Sequence, residues 1–364
     1  MLKHPMPYVL CLMFLLLGCG PSAPTTYTLF VGTFTQGDSE GLYQYTFDAE
    51  TGALRDRTLA ASLKNPSFLR ISPDRKYLYT LHETSEGQGG LVCYRIVEGS
   101  LEKINARAAQ GPSFCHVGIS GDGRTLAASS YGGGSLAIFK VDGQGAFQPA
   151  VQEIDHSVLD TTRTSRAHAA KFTKDGLFVA DLGLDALKRY KESEGRFVAA
   201  EQASLDLPEG AGPRHFTFSA DQGFLYVINE LNSTITVFER KSNGEYSSIA
   251  TQNTLGADFE GKSYCADIHL SADGKFLYGS NRGENTIVVF AVDADSGKLD
   301  LVGRESVHGD WPRNFALDPS GAFLLVANQR SNNISVFQRD KRSGKLTYLH
   351  DTPLPSPVCL EFLD

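Results

Sequence analysis

The chain repeats one arrangement of apolar and polar positions six times. Each copy begins with an apolar strand, turns at a polar or Asp/Gly step and continues into a second apolar strand. Five copies then turn again and enter a third strand that ends on an aromatic residue. The copies lie at 68–83, 116–139, 168–190, 215–238, 267–290 and 314–337. Short apolar stretches between turn residues are typical of strands, so the pattern predicts an all-β protein built from repeats.

A glycine marks the interval between one repeat and the next. Seven glycines are each followed two positions later by Leu, Phe or Tyr, and they recur every 46 to 53 residues: Gly52, Gly99, Gly145, Gly195, Gly244, Gly297 and Gly344. Each lies in a short polar stretch, as in a hairpin turn that requires a positive φ, and each is predicted to open a fourth strand. Four strands in about 48 residues make one blade of a β-propeller.

The two ends of the chain supply complementary fragments of one more blade. Residues 27–47 resemble the second and third strands of a repeat, and residues 357–363 resemble a lone first strand. Pairing them closes the ring and removes the exposed sheet edge that an open array would leave. We therefore predict a seven-bladed β-propeller of four-stranded antiparallel blades over residues 27–364, with a loop at 157–165.

The first 19 residues differ from the repeats. A basic start precedes an apolar run at 8–17, which is too short to span a bilayer as a helix and fits the core of a signal peptide. The run ends in LLGC at 16–19, which resembles the lipobox of bacterial lipoproteins, whose cysteine is lipidated after cleavage. We predict a lipoprotein-type signal at 1–19, lipidation at Cys19 and a Pro/Ser/Thr-rich tether at 20–26.

This signal predicts an exported protein that attaches to a membrane through Cys19 alone, in the periplasm or at the outer membrane or cell surface. A plain secretory signal and a misassigned start codon are the alternatives, and the second would leave the protein in the cytoplasm.

The net charge of −8 argues against a nucleic-acid partner, which would require a basic face. The oligomeric state and any protein partner stay open.

Four cysteines lie in the repeats: Cys93, Cys115, Cys265 and Cys359. No two of them have the close spacing of a zinc site, and we interpret them as small buried residues. Disulfide pairing is the alternative for an exported protein.

Ionisable residues recur at one end of the predicted ring. In a propeller, the first strand of each blade lines the central channel, and its start meets the turn between the second and third strands. Aligned repeats place Cys115-His116, His168, Arg214-His215 and Arg313 at strand starts. They place Tyr131, Glu230 and Arg282 at the turns, with Asp181 and Asn328 just before them. Charged groups at a narrow mouth are costly unless paired or bound to a ligand, which predicts a site there.

Several polar residues have simpler interpretations. Asn229, Asn281 and Asn328 are expected to hold turns through side-chain hydrogen bonds. Asp181, Tyr131 and His116 are compatible with bonds between blades as well as with a site. Three other histidines, His156, His308 and His350, are expected in solvated outer loops.

The set at the mouth indicates a reaction class. Three arginines offer planar cations for a carboxylate or phosphate, and a carboxylate beside a histidine can activate water. An arginine can also stabilise an oxyanion at an attacked carbonyl. The chain has no G-x-S-x-G nucleophile motif and no P-loop or dinucleotide fingerprint in a strand–helix context. The arginines argue against a metal. Hydrolysis of an anionic ester or lactone fits best.

The sequence resembles the 6-phosphogluconolactonase (lactonase) family of seven-bladed propellers over residues 27–363. The segments that carry the resemblance lie at 129–139, 212–238, 280–290 and 311–337. The resemblance implies hydrolysis of 6-phosphogluconolactone to 6-phosphogluconate without a required cofactor. Where relatives tend to show two histidines one residue apart, this chain has Arg166-Ala167-His168.

The roles implied by the resemblance and by the chemistry are as follows. Arg214 and Arg313 hold the substrate anion, Glu230 or His215 takes a proton from water, and Arg282 or His168 stabilises the oxyanion. Further binding residues are expected to be Tyr131, Asp181, His116 and Asn328. A lactonising or lactonase activity on another lactone is one alternative. A non-catalytic surface propeller that binds a glycan or protein is another.

Overall fold

The computed structural model describes residue 1 and residues 24–83, 88–109 and 111–364. The predicted signal from residue 2 onward, including Cys19, and residues 20–23 of the predicted tether lie outside the described residues. The described chain contains 28 strands in seven four-stranded sheets. It contains no helix long and apolar enough to cross a membrane.

Every blade is an antiparallel sheet whose first strand lines the channel. Blade 1 closes the ring with strands from both chain ends, in the order β28, β1, β2, β3. Its strands are β28 (Pro357–Leu363), β1 (Thr26–Thr33), β2 (Gly41–Asp48) and β3 (Leu54–Ser62). The predicted pairing is thus confirmed, with Leu29 opposite Phe362 and Val31 opposite Leu360.

The other blades follow the chain in sequence order. Blade 2 contains β4 (Leu69–Ile71), β5 (Tyr77–Glu83), β6 (Gly89–Val97) and β7 (Ser100–Ala108). Blade 3 contains β8 (Phe114–Ile119), β9 (Thr125–Ser130), β10 (Ser135–Lys140) and β11 (Gln152–Asp155). Blade 4 contains β12 (Ala167–Thr173), β13 (Gly176–Asp181), β14 (Ala186–Ser193) and β15 (Arg196–Asp206).

Blade 5 contains β16 (Pro213–Phe218), β17 (Phe224–Asn229), β18 (Thr234–Arg240) and β19 (Tyr246–Asn253). Blade 6 contains β20 (Tyr264–Leu270), β21 (Phe276–Arg282), β22 (Thr286–Val292) and β23 (Leu299–Ser306). Blade 7 contains β24 (Pro312–Leu317), β25 (Phe323–Asn328), β26 (Asn333–Arg339) and β27 (Leu346–Pro353). The predicted loop at 157–165 lies between β11 and β12.

Apolar side chains fill the space between neighbouring blades. The junction of blades 7 and 1, for example, buries Phe47 of β2 against Phe323 of β25, with ring centres 5.6 Å apart. Such blade-to-blade clusters replace a single central core and leave the channel to polar residues. The four cysteines of the repeats are free. Cys93, Cys265 and Cys359 are buried as predicted, whereas Cys115 is only partly buried.

The fourth strand of blade 3 differs from the prediction. It begins at Gln152, seven residues after Gly145, and in this interval Phe147 forms an isolated bridge with Val141. Pro149 lies in this interval and has no N–H to donate to the ladder, which accounts for the delayed pairing.

Candidate active site

A β-bulge near the start of the channel-lining strands determines the layout of the candidate site. The ladder register shifts just after the first residues of β8, β12, β16, β20 and β24. Residues within these bulges are Cys115, His168, Arg214, Ala266 and Arg313. Both Arg214 and Arg313 act electrostatically on Cys115 and on His168, so these side chains share one end of the channel. Bulges re-aim side chains in this way beside functional sites.

Glu230 lies at the same end, in the turn between β17 and β18. Its Oε2 atom is 3.1 Å from Nε of Arg214 and 2.7 Å from Nη2 of Arg282. Its side chain is 18% exposed, whereas the two arginine side chains are nearly buried. One carboxylate therefore pairs with two guanidinium groups and remains partly exposed.

Arg282 ends β21 and is held by backbone and aromatic contacts. Its Nε donates to the carbonyl of Tyr264 over 3.2 Å, and its Nη2 donates to the carbonyl of Cys265 over 2.9 Å. Its guanidinium carbon lies 5.3 Å from the ring centre of Trp311, and that of Arg330 lies 3.4 Å from the same ring. Cation–π contacts of this kind fix the position of the guanidinium.

Trp311 itself adopts an unusual backbone conformation. Its φ is +67°, a region that bulky residues rarely occupy. Its N–H donates to Oδ1 of Asn285 over 3.0 Å, and its carbonyl accepts the N–H of Gln329 over 3.1 Å. The neighbouring residues therefore hold a strained backbone that presents the indole to Arg282.

Arg313 has an unneutralised charge. Its guanidinium carbon lies 5.2 Å from the ring centre of Phe34, and no described residue forms a hydrogen bond or ion pair with it. Burial, and then Arg214 nearby, lowers the pKa of Arg313 to about 9. Burial, and then Arg282, lowers the pKa of Arg214 to about 10. Both arginines remain cationic at neutral pH, so three guanidinium groups face the single carboxylate of Glu230.

A cleft of about 400 Å³ opens beside these charges. Arg313, Tyr131 and Cys115 line it, together with Phe34 and with Glu83, whose carboxylate pairs with Lys64. This volume is within the range of small-ligand sites, and the unpaired guanidinium of Arg313 in the wall favours a small anion.

His168 lies between this cleft and the interior of the channel. Its ring centre is 6.0 Å from that of Tyr131 and 5.1 Å from that of His215. Burial, and then Arg214, holds the pKa of His168 well below 6.5. Its Nδ1 atom is buried without a hydrogen-bond partner among the described residues. His168 is therefore a neutral imidazole with an unused nitrogen.

His215 lies one layer deeper and pairs with Asp267, whose Oδ1 is 2.7 Å from its Nδ1. Although burial opposes ionisation, His269 and His215 hold the pKa of Asp267 well below its usual value. Burial, and then Arg214, lowers the pKa of His215 to about 3. The neutral ring therefore donates Nδ1–H to Asp267 and keeps a lone pair on Nε2, which has no partner among the described residues.

His116 is a neighbour of His215, with ring centres 5.6 Å apart. Burial, and then His215, holds its pKa well below 6.5, and its Nδ1 accepts the N–H of Ala170 over 3.2 Å. The proton of the neutral ring is therefore on Nε2, which is also buried without a described partner. His116 faces a cavity at the far end of the channel and does not line the arginine cleft.

The structure does not bring Asp181 and Asn328 to the arginines. The carboxylate of Asp181 accepts Ser165 Oγ–H over 2.5 Å and three backbone N–H groups, and it lies 2.7 Å from Nδ1 of His156. Nδ2 of Asn328 donates to Oγ of Ser335 over 2.8 Å. These contacts hold neighbouring loops and strands, so both residues have structural surroundings instead of the expected place in the site.

Two expectations about the other histidines were wrong. His156 is fully buried between Asp181 and the hydroxyl of Tyr190, 2.8 Å away, because the Asp181 carboxylate and the phenol satisfy both of its nitrogens. His350 lies within β27 and not in a loop. His308 is exposed but stacks on Tyr348, with ring centres 3.9 Å apart.

Comparison with known proteins places this architecture in a family. The family model described as "Lactonase, 7-bladed beta-propeller" matches residues 28–362. The chain belongs to this lactonase family. It is similar to a 6-phosphogluconolactonase of Bacillus subtilis, with 36% identity over 93% of this chain and 99% of that protein. A 6-phosphogluconolactonase of Formosa agariphila is 36% identical over 80% of this chain and 86% of its own length.

A solved structure of the lactonase type is also similar. The periplasmic gluconolactonase PpgL of Pseudomonas aeruginosa superposes with a TM-score of 0.87 at 36% identity, covering 93% of this chain and 99% of that chain. The predicted fold and the predicted kinship with 6-phosphogluconolactonases are thus confirmed.

Sequence reasoning did not select Asp267, Trp311 and Phe34, which contact residues of the candidate site. Asp267 occupies the same repeat position as His215, and this shared position was the available signal. Trp311 is the single tryptophan of the chain and directly precedes the Pro-Arg step of β24. Nothing in the repeat pattern distinguishes Phe34, which lies just after β1 and reaches Arg313 across the blade junction.

Arg166, which replaces the first histidine of the family pattern, contacts the same cleft wall. Its guanidinium carbon lies 5.3 Å from the ring centre of Tyr131, and its Nη1 is 3.4 Å from the carbonyls of Tyr131 and Gly132. A cation thus supports the tyrosine at this position.

Proposed function

We propose that this protein hydrolyses a sugar lactone that carries an anionic group, with 6-phosphogluconolactone as the first candidate. The observation that carries the proposal is the excess of positive charge at the cleft. Arg214, Arg282 and Arg313 face one carboxylate, and Arg313 has no described partner. Uncompensated buried cations require an anionic ligand to offset their desolvation, and a phosphate suits planar guanidinium donors.

The proposed reaction assigns one role to each of four groups at this end of the channel. Arg313 and Arg214 bind the phosphate, and Glu230 accepts a proton from water. The water oxygen attacks the lactone carbonyl carbon, and the negative charge on the carbonyl oxygen is stabilised by His168. The bond between the carbonyl carbon and the ring oxygen then breaks, and the ring oxygen takes up the proton, so that a hydroxy acid is released.

The choice of Glu230 over His215 as the base rests on location. Glu230 is partly exposed beside all three arginines, whereas His215 is nearly buried and lines the cavity at the far end. A lactone carbonyl is reactive enough that a carboxylate, held in place with its water, supplies a useful acceleration.

Unphosphorylated gluconolactone is a second candidate substrate. The likeness to the periplasmic gluconolactonase and the predicted export signal favour it, since 6-phosphogluconolactone is made in the cytoplasm.

We propose that the protein is exported and anchored through Cys19. Replacement of Cys19 by Ser is expected to move it from the membrane to the soluble fraction, and unchanged membrane association would contradict the anchor.

The substrate test compares both lactones with the purified protein, corrected for spontaneous hydrolysis. We expect faster opening of the phosphorylated lactone and a rise in KM of about 10- to 100-fold in Arg313→Gln, because a charge-assisted contact is lost. Arg342→Gln, in an exposed hairpin, is the matched control. Activity only on the neutral lactone would change the substrate, and no acceleration of either would reject the proposal.

A further inference from the structure

The central channel has a second cavity at the end opposite the arginine cleft. It has a volume of about 380 Å³, and His116 and His215 form its inner wall. A third layer of channel residues also lines it. Each of these residues lies two positions further along its strand than the residue in the layer of the histidines: Arg70, Lys171, His269 and Glu361. The proposed lactonase chemistry uses none of these four residues.

Lys171 contributes an unpaired positive charge to this cavity. Its Nζ donates to the carbonyl of Phe216 over 2.5 Å, and no described carboxylate lies within ion-pair distance. Burial, and then Arg70, lowers the pKa of Lys171 to about 8. Two of its three ammonium hydrogens therefore have no acceptor among the described residues, which leaves the lysine able to bind an anion.

The carboxylates that line the cavity are already engaged. Glu361 pairs with Nη1 of Arg70 at 2.9 Å and accepts the N–H of Ile71 over 3.1 Å. Asp267 contacts His215, His269 and Asn314, and Asp318 accepts N–H groups of the turn that follows it. Asp364 at the rim pairs with Arg75. Of the two cations that line the cavity, Arg70 is paired with Glu361, whereas Lys171 has no described carboxylate within ion-pair distance.

The two histidines add a donor and an acceptor. Their hydrogen bonds to Ala170 and Asp267 leave His116 with a proton on Nε2 and His215 with a lone pair on Nε2. Both Nε2 atoms are buried and unpartnered among the described residues. A single hydroxyl can accept from the first and donate to the second, which would satisfy both.

We propose that this far-end cavity is a second binding site, and that its ligand is the anion of a small hydroxy acid. The carboxylate of the ligand contacts Lys171 and Arg70, and a hydroxyl bridges His116 and His215. This ligand class follows from the donors and acceptors of the cavity and does not depend on the proposed reaction. Lactone opening would release a compound of the same class, which would make the second site a place where product binds.

The test counts gluconate molecules bound per chain by isothermal titration calorimetry, because gluconate can also occupy the arginine cleft. We expect two molecules on the unaltered protein. Arg313→Gln should weaken only the cleft site, and Lys171→Gln should weaken only the far-end site by about tenfold or more. Lys171→Arg should retain both sites, as should Lys174→Gln, an exposed lysine of the same blade.

A second pair of variants keeps the test valid if Lys171→Gln folds poorly. Ala316 lines the cavity, so Ala316→Glu adds a repelling carboxylate, and the nearly isosteric Ala316→Gln does not. Only Ala316→Glu should abolish far-end binding. Hexanoate, which has the charge without hydroxyls, and sorbitol, which has hydroxyls without charge, should bind there at least tenfold more weakly than gluconate. A single gluconate that is lost only in Arg313→Gln, or equal binding to both Ala316 variants, would overturn the proposal.

Discussion

At the scale of single residues, the two candidate bases lie in different surroundings and can be separated. Glu230→Gln is expected to lower kcat by about 100-fold or more, because an amide cannot accept the proton from water. His215→Asn should lower it far less. The isosteric amide keeps an oxygen that accepts hydrogen bonds from the two arginines, so an unchanged kcat in this variant would show that Glu230 only organises the arginines.

Trp311 offers a second residue-scale prediction. Trp311→Ala and Trp311→Gly both remove the ring beside Arg282, and each should lower kcat/KM by about tenfold, the value of a partly desolvated cation–π contact. Glycine tolerates the φ of +67°, so Trp311→Gly should be about 1 kcal/mol more stable than Trp311→Ala. Kinetics and urea denaturation check the two effects, and equal stability would show that the backbone stores no strain.

The residue types at the mouth could be predicted from aligned repeats, but their partners could not. Arg214, Glu230, Arg282 and Arg313 cluster as expected. Asp181 does not join them, because it bonds a loop that follows no repeat. A repeat alignment shows which positions share a height in the channel. It does not show which side chains bond to an inserted segment.

At the scale of elements, the bulged first strands explain why two successive positions face the channel. A regular strand would send one of each pair, such as Arg214 and His215, into the blade. Because of the bulge, the first residue of each pair points toward the cleft end of the channel, and the second lines the deeper layer. No sequence signal in the repeats marks the bulge, so the different depths of the two residues of each pair could not be predicted.

The hairpin glycines give an element-scale prediction with a built-in control. Gly344 and Gly195 have φ values of +73° and +76°, but a Cβ on Gly344 would lie 2.3 Å from the ring of Phe276, whereas one on Gly195 would meet nothing. Gly195→Ala should cost about 1–2 kcal/mol of stability through backbone strain alone. Gly344→Ala should cost a further 1–3 kcal/mol, approximately, through overpacking of the blade junction.

Chemical denaturation of both glycine variants measures the difference. Equal losses would mean that the Phe276 ring yields freely, and that these glycines matter for their backbone conformation alone.

At the scale of the whole molecule, the seven-bladed ring could be predicted nearly in full, because each blade repeats the same strands and the chain ends are complementary. The pairing of β28 with β1 follows from the need to cover two sheet edges. The channel contents could not be predicted in the same way. They depend on side chains from several blades meeting across the axis, as His116, His168 and His215 do.

This buried histidine group makes stability depend on pH. All three rings have pKa values lowered by burial, to about 3 for His215, whereas an unfolded histidine titrates near 6.5. Below pH 6.5 the unfolded chain therefore binds more protons than the folded one, and the free energy of unfolding rises with pH up to that point. Each neutral ring contributes a slope of up to about 1.4 kcal/mol per pH unit between 6.5 and its folded pKa.

We expect urea denaturation to show a plateau above pH 7 and a loss of several kcal/mol at pH 5. His116→Gln keeps an acceptor for the N–H of Ala170 but cannot take up a proton, so its loss between pH 7 and pH 5 should be smaller by about 1–2 kcal/mol. The same loss in His116→Gln and the unaltered protein would show that His116 is protonated in the folded ring. The tautomer assigned to it in the far-end cavity would then be wrong as well.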